Sequence, residues 1–293
     1  MALLKRAQPL DSSRVTTVAK PKRSLVGIEL IRLLANEGDR IFSIDRARQL
    51  APRAGVRDSY LGEALYHLRQ TGWVVHLRRG LYALASTVPG VTPAHEFEVA
   101  MALVDPAAIS HWSALHYHGL TTQVPRTTFV ITTHETSVPR LRGRAGEEPR
   151  DGCLINDVVY RFVQVRPGRF FGTKQVWVGD ARVSITDLER TLVDGLTMPQ
   201  HCGGFAEVLN AFEIAGPRLS VRRITEYALR LDAATGKRLG WVLEHLRLAR
   251  AGLDRLAAAP IKGYRKLDPR GPRSGRRNRR WMVEENLPGM VDA

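Results

Sequence analysis

The sequence predicts an α+β protein: an N-terminal winged helix-turn-helix domain followed by a larger mixed α/β domain with a helical C-terminal half. Three observations predict it. Three short amphipathic segments before residue 72 lead straight into the paired apolar runs of "GWVVHLRRGLYAL". Stretches rich in Val, Ile, Thr and aromatic residues then recur between residues 127 and 185, with Gly or Pro between them. From residue 186 onward, capped segments with helical periodicity return. A chain of 293 residues is long enough for two domains of unequal size, and 44% hydrophobic with 25% charged residues is an ordinary globular composition. The expected division is a flexible basic arm over 1–23, the winged helix-turn-helix domain over 24–88, and a second domain over 89–293.

Residues 1–23 mix Lys, Arg, Ser, Thr and Pro without apolar periodicity. From Ser24, a helix-capping residue type, Leu25, Ile28, Ile31 or Arg32, and Leu34 recur at helical spacing up to the glycine of "NEGD". After "RIF", Ser43 caps a second helix, "IDRARQL", which Pro52 ends. The third segment, "RDSYLGEALYHLRQTG", is the clearest. Asp58 or Ser59 caps it, Leu61, Ala64, Leu65 and Leu68 form one buried stripe, and Gly72 closes it. The opposite face carries Ser59, Glu63, Tyr66 and Gln70, with Arg57 and Tyr60 near its start and Gly62 permitting a close approach. In the hairpin that follows, Gly80 supplies the positive φ of a tight turn, and Arg78 and Arg79 point from its tip into solvent.

Past the Pro- and Gly-containing "STVPGVTPA", the segment "HEFEVAMALV" predicts a helix, and "PAAISHWSALHYHGL" a short extended step and a second helix. Strands are predicted at "TTFVITT", "VVYRFVQV" and "KQVWVGDARVSI", with a long polar loop between the first two. In "SITDLERTLVDGL", Thr186 and Glu189 have capping-box spacing and Leu188, Leu192 and Val193 form a stripe. Arg190 and Asp194 then fall four apart on the outer face, as a weak pair. Further helices follow at "GFAEVLNAF", "VRRITEYAL" and "KRLGWVLEHLRL".

Formal net charge is +15, and its distribution says more than its size. Residues 1–88 hold 15 Lys/Arg against 7 Asp/Glu, and residues 261–281 hold 9 against 1, while 89–260 is close to neutral at 20 against 18. Basic charge at both ends suits a polyanion partner. The third helix is then the element for a major groove, with the Arg78 and Arg79 tip at the backbone or the adjacent minor groove, Arg57, Arg78 and Arg79 on phosphates, Ser59, Tyr60, Glu63 and Tyr66 as candidates for reading bases, and Gln70 a further candidate DNA-binding residue on the same face. Arg273, Arg276, Arg277, Arg279 and Arg280 form a second candidate DNA-binding segment near the C-terminus. Two blander readings compete: exposed turns carry Arg to discourage aggregation, and basic tails are often simply solvated.

Enzyme chemistry is hard to find. There is no phosphate-cradling glycine loop, nucleophile elbow or zinc signature, and Cys153 and Cys202 make neither a disulfide framework nor a metal spacing. His111, His116 and His118 do not share a helix face, so no metal is expected. Asp187, Glu189 and Asp194 have cap and pair roles that account for them. The reading is therefore no enzyme, no catalytic residues, no cofactor and no metal. With no apolar run of membrane length and no apolar stretch behind "MALLKR" to suggest a secretory signal, a cytoplasmic protein without a membrane partner is expected.

Several of these stretches, taken in order, resemble the AbiEi family of antitoxins, the transcriptional-regulator half of type IV toxin-antitoxin systems. The wing "GWVVHLRRGLYAL" resembles the family's N-terminal winged domain. "ISHWSALHYHGL" with "VPRTTFVITT" is similar to the first part of its C-terminal domain, "ITDLERTLVDGL" to its central helix, and "YRKLDPRGPRSGRRNRRWMVEENL" to its closing segment. The resemblance implies a repressor of its own operon that counteracts a nucleotidyltransferase-like toxin encoded beside it, with or without a stable complex. The partner DNA would be double-stranded, in its own promoter, with inverted repeats bound by a dimer or cooperating monomers. The alternatives from other classes are a DNA-targeted nuclease or phosphate-transfer enzyme with its activity in the C-terminal domain, and an adaptor whose winged domain binds a protein.

Overall fold

The computed structural model of the chain describes residues 23–134, 153–249 and 252–287. The expected basic arm, except its last residue, and the polar loop beyond His134 lie outside the described residues.

The first unit runs α1 (Arg23–Asn36), β1 (Ile41–Ser43), α2 (Ile44–Leu50), α3 (Asp58–Gln70), β2 (Val74–Arg78) and β3 (Leu81–Leu84). Ser24 falls within α1, and the Ser43 side chain accepts the Arg46 N–H and caps α2 as its sequence context predicts. The strands form an antiparallel sheet in the order β1-β3-β2, with Ile41 opposite Ala83 and Val74 opposite Leu84. Strand alternation divides its side chains between two cores. Phe42, Val74, Tyr82 and Leu84 pack on Leu30, Leu34, Leu61, Leu65 and Leu68 of the three helices. Ile41, Val75, Leu77, Leu81 and Ala83 pack the other way, on Phe97, Val99, Ala100 and Leu103. The hairpin sheet is therefore covered on both faces, and Arg40 ties its first strand outward to Glu98 at 3.3 Å and Asp180 at 3.6 Å.

The second core belongs to α4 (Glu96–Leu103) and a six-stranded mixed sheet of β4 (Ala107–Ile109), β5 (Thr127–Thr132), β6 (Cys153–Ile155), β7 (Val158–Gln164), β8 (Thr173–Val178) and β9 (Ala181–Thr186). Its order is β6-β7-β5-β4-β9-β8; β5 with β7 and β4 with β9 run parallel, the other neighbours antiparallel. The strands expected over 127–133, 158–165 and 174–185 are there, the last as a β8–β9 hairpin turning at Gly179 and Asp180. The helical half holds α5 (His111–Tyr117), α6 (Leu188–Thr197), α7 (Phe205–Ala215), α8 (Val221–Leu231), α9 (Ala233–His245) and α10 (Asp254–Ala258). A small sheet of β10 (Arg265–Lys266), β11 (Arg276–Asn278) and β12 (Val283–Glu285) follows, in the order β10-β12-β11.

α6 corrects two expectations. Asp187 is its cap, accepting the Arg190 N–H at 2.8 Å, while Thr186 is fully buried and shares a hydroxyl contact of 2.7 Å with Thr191. Glu189 does not reach back to the cap; it accepts the Ser220 N–H at 3.0 Å and faces Arg223 at 3.4 Å. Arg190 and Asp194 are not on an outer face. α6 is packed by α5, α7, α8 and α9, so the pair is buried, at 2% and 5% side-chain exposure, with Nε to Oδ1 at 2.8 Å. Arg190 also donates to the carbonyls of Arg169 and Phe171 and lies 4.4 Å over the Phe171 ring, which compensates its removal from water.

Among the described residues no helix is long and apolar enough to cross a membrane.

Candidate nucleic-acid interface

α3 is held by Leu61, Ala64, Leu65 and Leu68, all buried, which fixes what its other side presents. Arg57 takes the N-cap position without a side-chain cap bond, in place of Asp58 or Ser59. Asp58 is instead drawn into an ion pair with Arg48 of α2 at 2.8 Å, where its charge also suits the helix N-terminus. Arg57, Ser59, Glu63, Tyr66 and Gln70 are exposed, Tyr66 at 56%, and Tyr60 is half-buried against the helical core. A side chain at Gly62 would meet nothing within 4 Å, so the close approach permitted there is not to the chain itself. Glu63 faces His67 at 3.6 Å one turn on.

At the hairpin end Gly80 has φ +71° and its carbonyl accepts the Ile44 N–H, which seats the turn at the start of α2. Arg79 is exposed. Arg78 is only half-buried, its Nε shielded from solvent and without a hydrogen-bond partner among the described residues. The two arginines therefore do not both point into solvent: they are adjacent in the chain, and neighbouring residues at a strand end face opposite ways, with a register shift between His76 and Arg78 beside them.

Ion pairing sorts the cations of this unit. Arg32 pairs with Glu29, Arg46 with Glu37 and Asp39, Arg48 with Asp45 and Asp58, Arg53 with Glu37, and Arg40 with Glu98 and Asp180. Among the described residues, Arg57, Arg69, Arg78 and Arg79 have no carboxylate partner, and all four lie on α3, at its cap or on the hairpin. Arg69 was missed in the sequence because it falls beside the polar stripe, not on it. Its guanidinium, second to burial itself, holds the His76 imidazole below its usual value.

The other candidate residues are dispersed. Asp187 caps α6 and accepts the Tyr227 hydroxyl at 2.9 Å, Glu189 is committed to the start of α8, and Asp194 to Arg190. No group of three His, Cys, Asp or Glu fit to hold a metal occurs among the described residues. His116 is exposed, and His118 Nε2 donates to the Thr186 carbonyl at 2.8 Å. His111 is buried at φ +49° with Nδ1 2.8 Å from Ser110 Oγ; burial first, then the Arg190 charge, push it from 6.5 down to about 3.

The arginine-rich stretch before Trp281 is built into β11 and the turn after it. Arg273, Arg276, Arg277, Arg279 and Arg280 are all exposed, and Arg280 pairs with Glu244 of α9.

The fold defines a mixed α+β protein in which a helix-rich N-terminal unit shares its small sheet with a six-stranded, helix-backed second unit. It is similar to a solved structure, the RV2827C protein from Mycobacterium tuberculosis, with a TM-score of 0.63 at 14% identity over 88% of this chain and 90% of that one. At that identity the likeness is one of fold. No protein-family model matches the chain, and no curated protein matches it.

Proposed function

We propose that the chain is a sequence-specific, double-stranded-DNA-binding autorepressor that also serves as the antitoxin of a type IV pair, opposing a nucleotidyltransferase-like toxin. The observation that carries the DNA-binding reading is the sorting of charge: among the described side chains of the first unit, Arg32, Arg40, Arg46, Arg48 and Arg53 are ion-paired, and the four arginines without a carboxylate partner gather on α3, its cap and the hairpin. The order α1-β1-α2-α3-β2-β3 with sheet order β1-β3-β2 supports reading this unit as a winged helix, in which α3 enters the major groove. Arg57, Arg78 and Arg79, with Arg69 added, contact phosphates, and Ser59, Tyr60, Glu63, Tyr66 and Gln70 face bases. The antitoxin role rests on the resemblance of "ISHWSALHYHGL", "ITDLERTLVDGL" and the closing segment to the AbiEi family.

The test is binding of the purified chain to its own upstream DNA and to a scrambled duplex of equal length, at low and near-physiological salt. Preference for the upstream fragment that survives added salt is the expected result. Equal binding that disappears with salt would remove the sequence-specific reading.

A further inference from the structure

We propose that the C-terminal knuckle formed by β10–β12 and the Trp281 turn is a second, preformed site for the phosphate backbone of nucleic acid. It adds affinity without reading sequence. The inference rests on the DNA-binding reading above and assigns a contact outside the α3 unit.

The knuckle is rigid where its charge is displayed. Trp281 is fully buried against α9, its ring filling the space over Gly240, where a Cβ would come within 2.0 Å of it. Its Nε1 donates to Glu244 at 2.6 Å, and its backbone N–H to the Asn278 side chain at 3.1 Å. In the reverse direction Trp241 of α9 donates to Glu285 of β12 at 2.7 Å. The two indole–carboxylate bonds cross between helix and sheet, so β11 is a fixed shelf.

Three arginines of the row make no ion pair among the described residues even so. Register sets Glu285 opposite Arg276 and Glu284 opposite Arg277, the places from which carboxylates would neutralise the row. Glu285 Oε1 is instead taken by Trp241 and, at 2.9 Å, by Asn278. Arg276, Arg277 and Arg279 have no ion pair among the described residues, nor do the exposed Lys262, Arg265 and Arg273 nearby in sequence. Arg277 lies 5.2 Å over the Tyr264 ring, which orients its guanidinium plane while leaving the charge in place. An open concavity of about 470 Å³ lies between Arg276, Arg277, Asn278, Arg279 and Glu285.

Like charges held side by side repel, and a row of planar guanidiniums relieves that repulsion best on an anion of repeated charge. A phosphodiester backbone fits better than a lipid surface, because among the described residues no exposed large apolar side chain lies in the knuckle; those that are exposed, such as Tyr66, Leu154 and Trp177, lie elsewhere.

The experiment compares full-length wild type with Arg276→Gln/Arg277→Gln/Arg279→Gln. Both are titrated with the upstream duplex, a scrambled duplex and anionic phosphatidylserine vesicles, from about 50 to about 200 mM salt. Loss of three phosphate contacts lowers the salt slope by roughly 2.7, so the variant loses about 40-fold less affinity than wild type across that range, on both duplexes alike. Thermal unfolding of the variant is expected to stay close to wild type, since the changed side chains are exposed and make no ion pair among the described residues, which separates lost binding from lost fold.

An unchanged slope in a variant of a protein that binds DNA overturns the knuckle and spares the α3 reading. Equal binding of both duplexes by wild type, lost in the variant, supports the knuckle and overturns sequence-specific repression. Vesicle binding lost in the variant while duplex binding is kept overturns the nucleic-acid assignment, and absence of DNA binding at any salt overturns both readings.

Discussion

α3 and α6 each place a carboxylate four residues from a basic side chain, and the fold treats the two pairs in opposite ways. Glu63 and His67 stand 3.6 Å apart, with side chains 55% and 60% exposed, on a helix buried along a single stripe. Arg190 and Asp194 stand 2.8 Å apart on a helix whose residues from Glu189 to Leu196 are all buried. In water the first pair is nearly neutral to stability, and its groups remain free to meet a ligand. In the second, burial raises the Asp194 carboxyl despite the Arg190 charge, and also pushes the nearby Cys202 thiol up. Oδ2 of Asp194 has no hydrogen-bond partner among the described residues. The same spacing thus marks a display surface on one helix and a polar centre of the core on the other.

Breaking the buried pair should have the largest effect. Arg190→Ala leaves the Asp194 carboxylate unpaired, and a loss of about 3–5 kcal/mol in urea unfolding is expected. Arg190→Met/Asp194→Leu should recover most of it, because both charges leave together. A loss under about 1 kcal/mol for the single variant would place the pair with surface pairs and erase the contrast.

Next in size is the pH response of His111, which lies within the field of Arg190. Its value in the fold, about 3, lies below the ordinary 6.5, so the unfolded chain binds the proton more readily between the two. Stability is full above about pH 6.5 and falls as pH drops toward 3. From about pH 7.5 to about pH 4.5 the loss is roughly 2–3 kcal/mol. His111→Asn should flatten that part of the stability profile; an unaltered profile would assign the acid sensitivity elsewhere.

Smaller still is the cap. Asp187→Ala removes the acceptor for the Arg190 N–H and for Tyr227, and about 1 kcal/mol is expected from chemical denaturation. Least of all in stability is Glu63→Ala on α3, within about 0.5 kcal/mol. Its expected signature is a changed preference among DNA sequences at constant salt slope, measured by competition binding. A change in stability larger than that of Asp187→Ala would mean that Glu63 is structural after all.

Legibility followed the same contrast. α3 was readable because one stripe, Leu61, Ala64, Leu65 and Leu68, is buried and the rest is polar, which is what periodicity encodes. α6 was placed from its cap region, but its charged residues were turned outward, because a helix buried all round shows no polar face to contradict that choice. The strands over 127–133, 158–165 and 174–185 were visible in their β-branched runs. β6 (Cys153–Ile155) is three residues long, too short for a composition signal, and follows the polar stretch that obscured it. In the candidate interface the exposed face of α3 was legible, and the half-burial of Arg78 was not, since what surrounds the hairpin end is set in three dimensions. Nor could the loss of most cations to ion pairs be read, because Arg46 with Glu37 and Arg40 with Asp180 meet only in three dimensions.

The hairpin sheet sends Leu84 toward the three N-terminal helices and Leu77 toward α4 and the six-stranded sheet. Such a sheet is a party wall. Residues 1–88 taken alone would bare Ile41, Val75, Leu77 and Leu81 together, a contiguous apolar strip of the kind that makes isolated fragments self-associate. The N-terminal unit is therefore not a cassette that recombination could move to another scaffold intact. Transplanting it means carrying α4 along or re-facing one side of the sheet with polar residues, and any gene fusion that cuts at residue 88 inherits that repair.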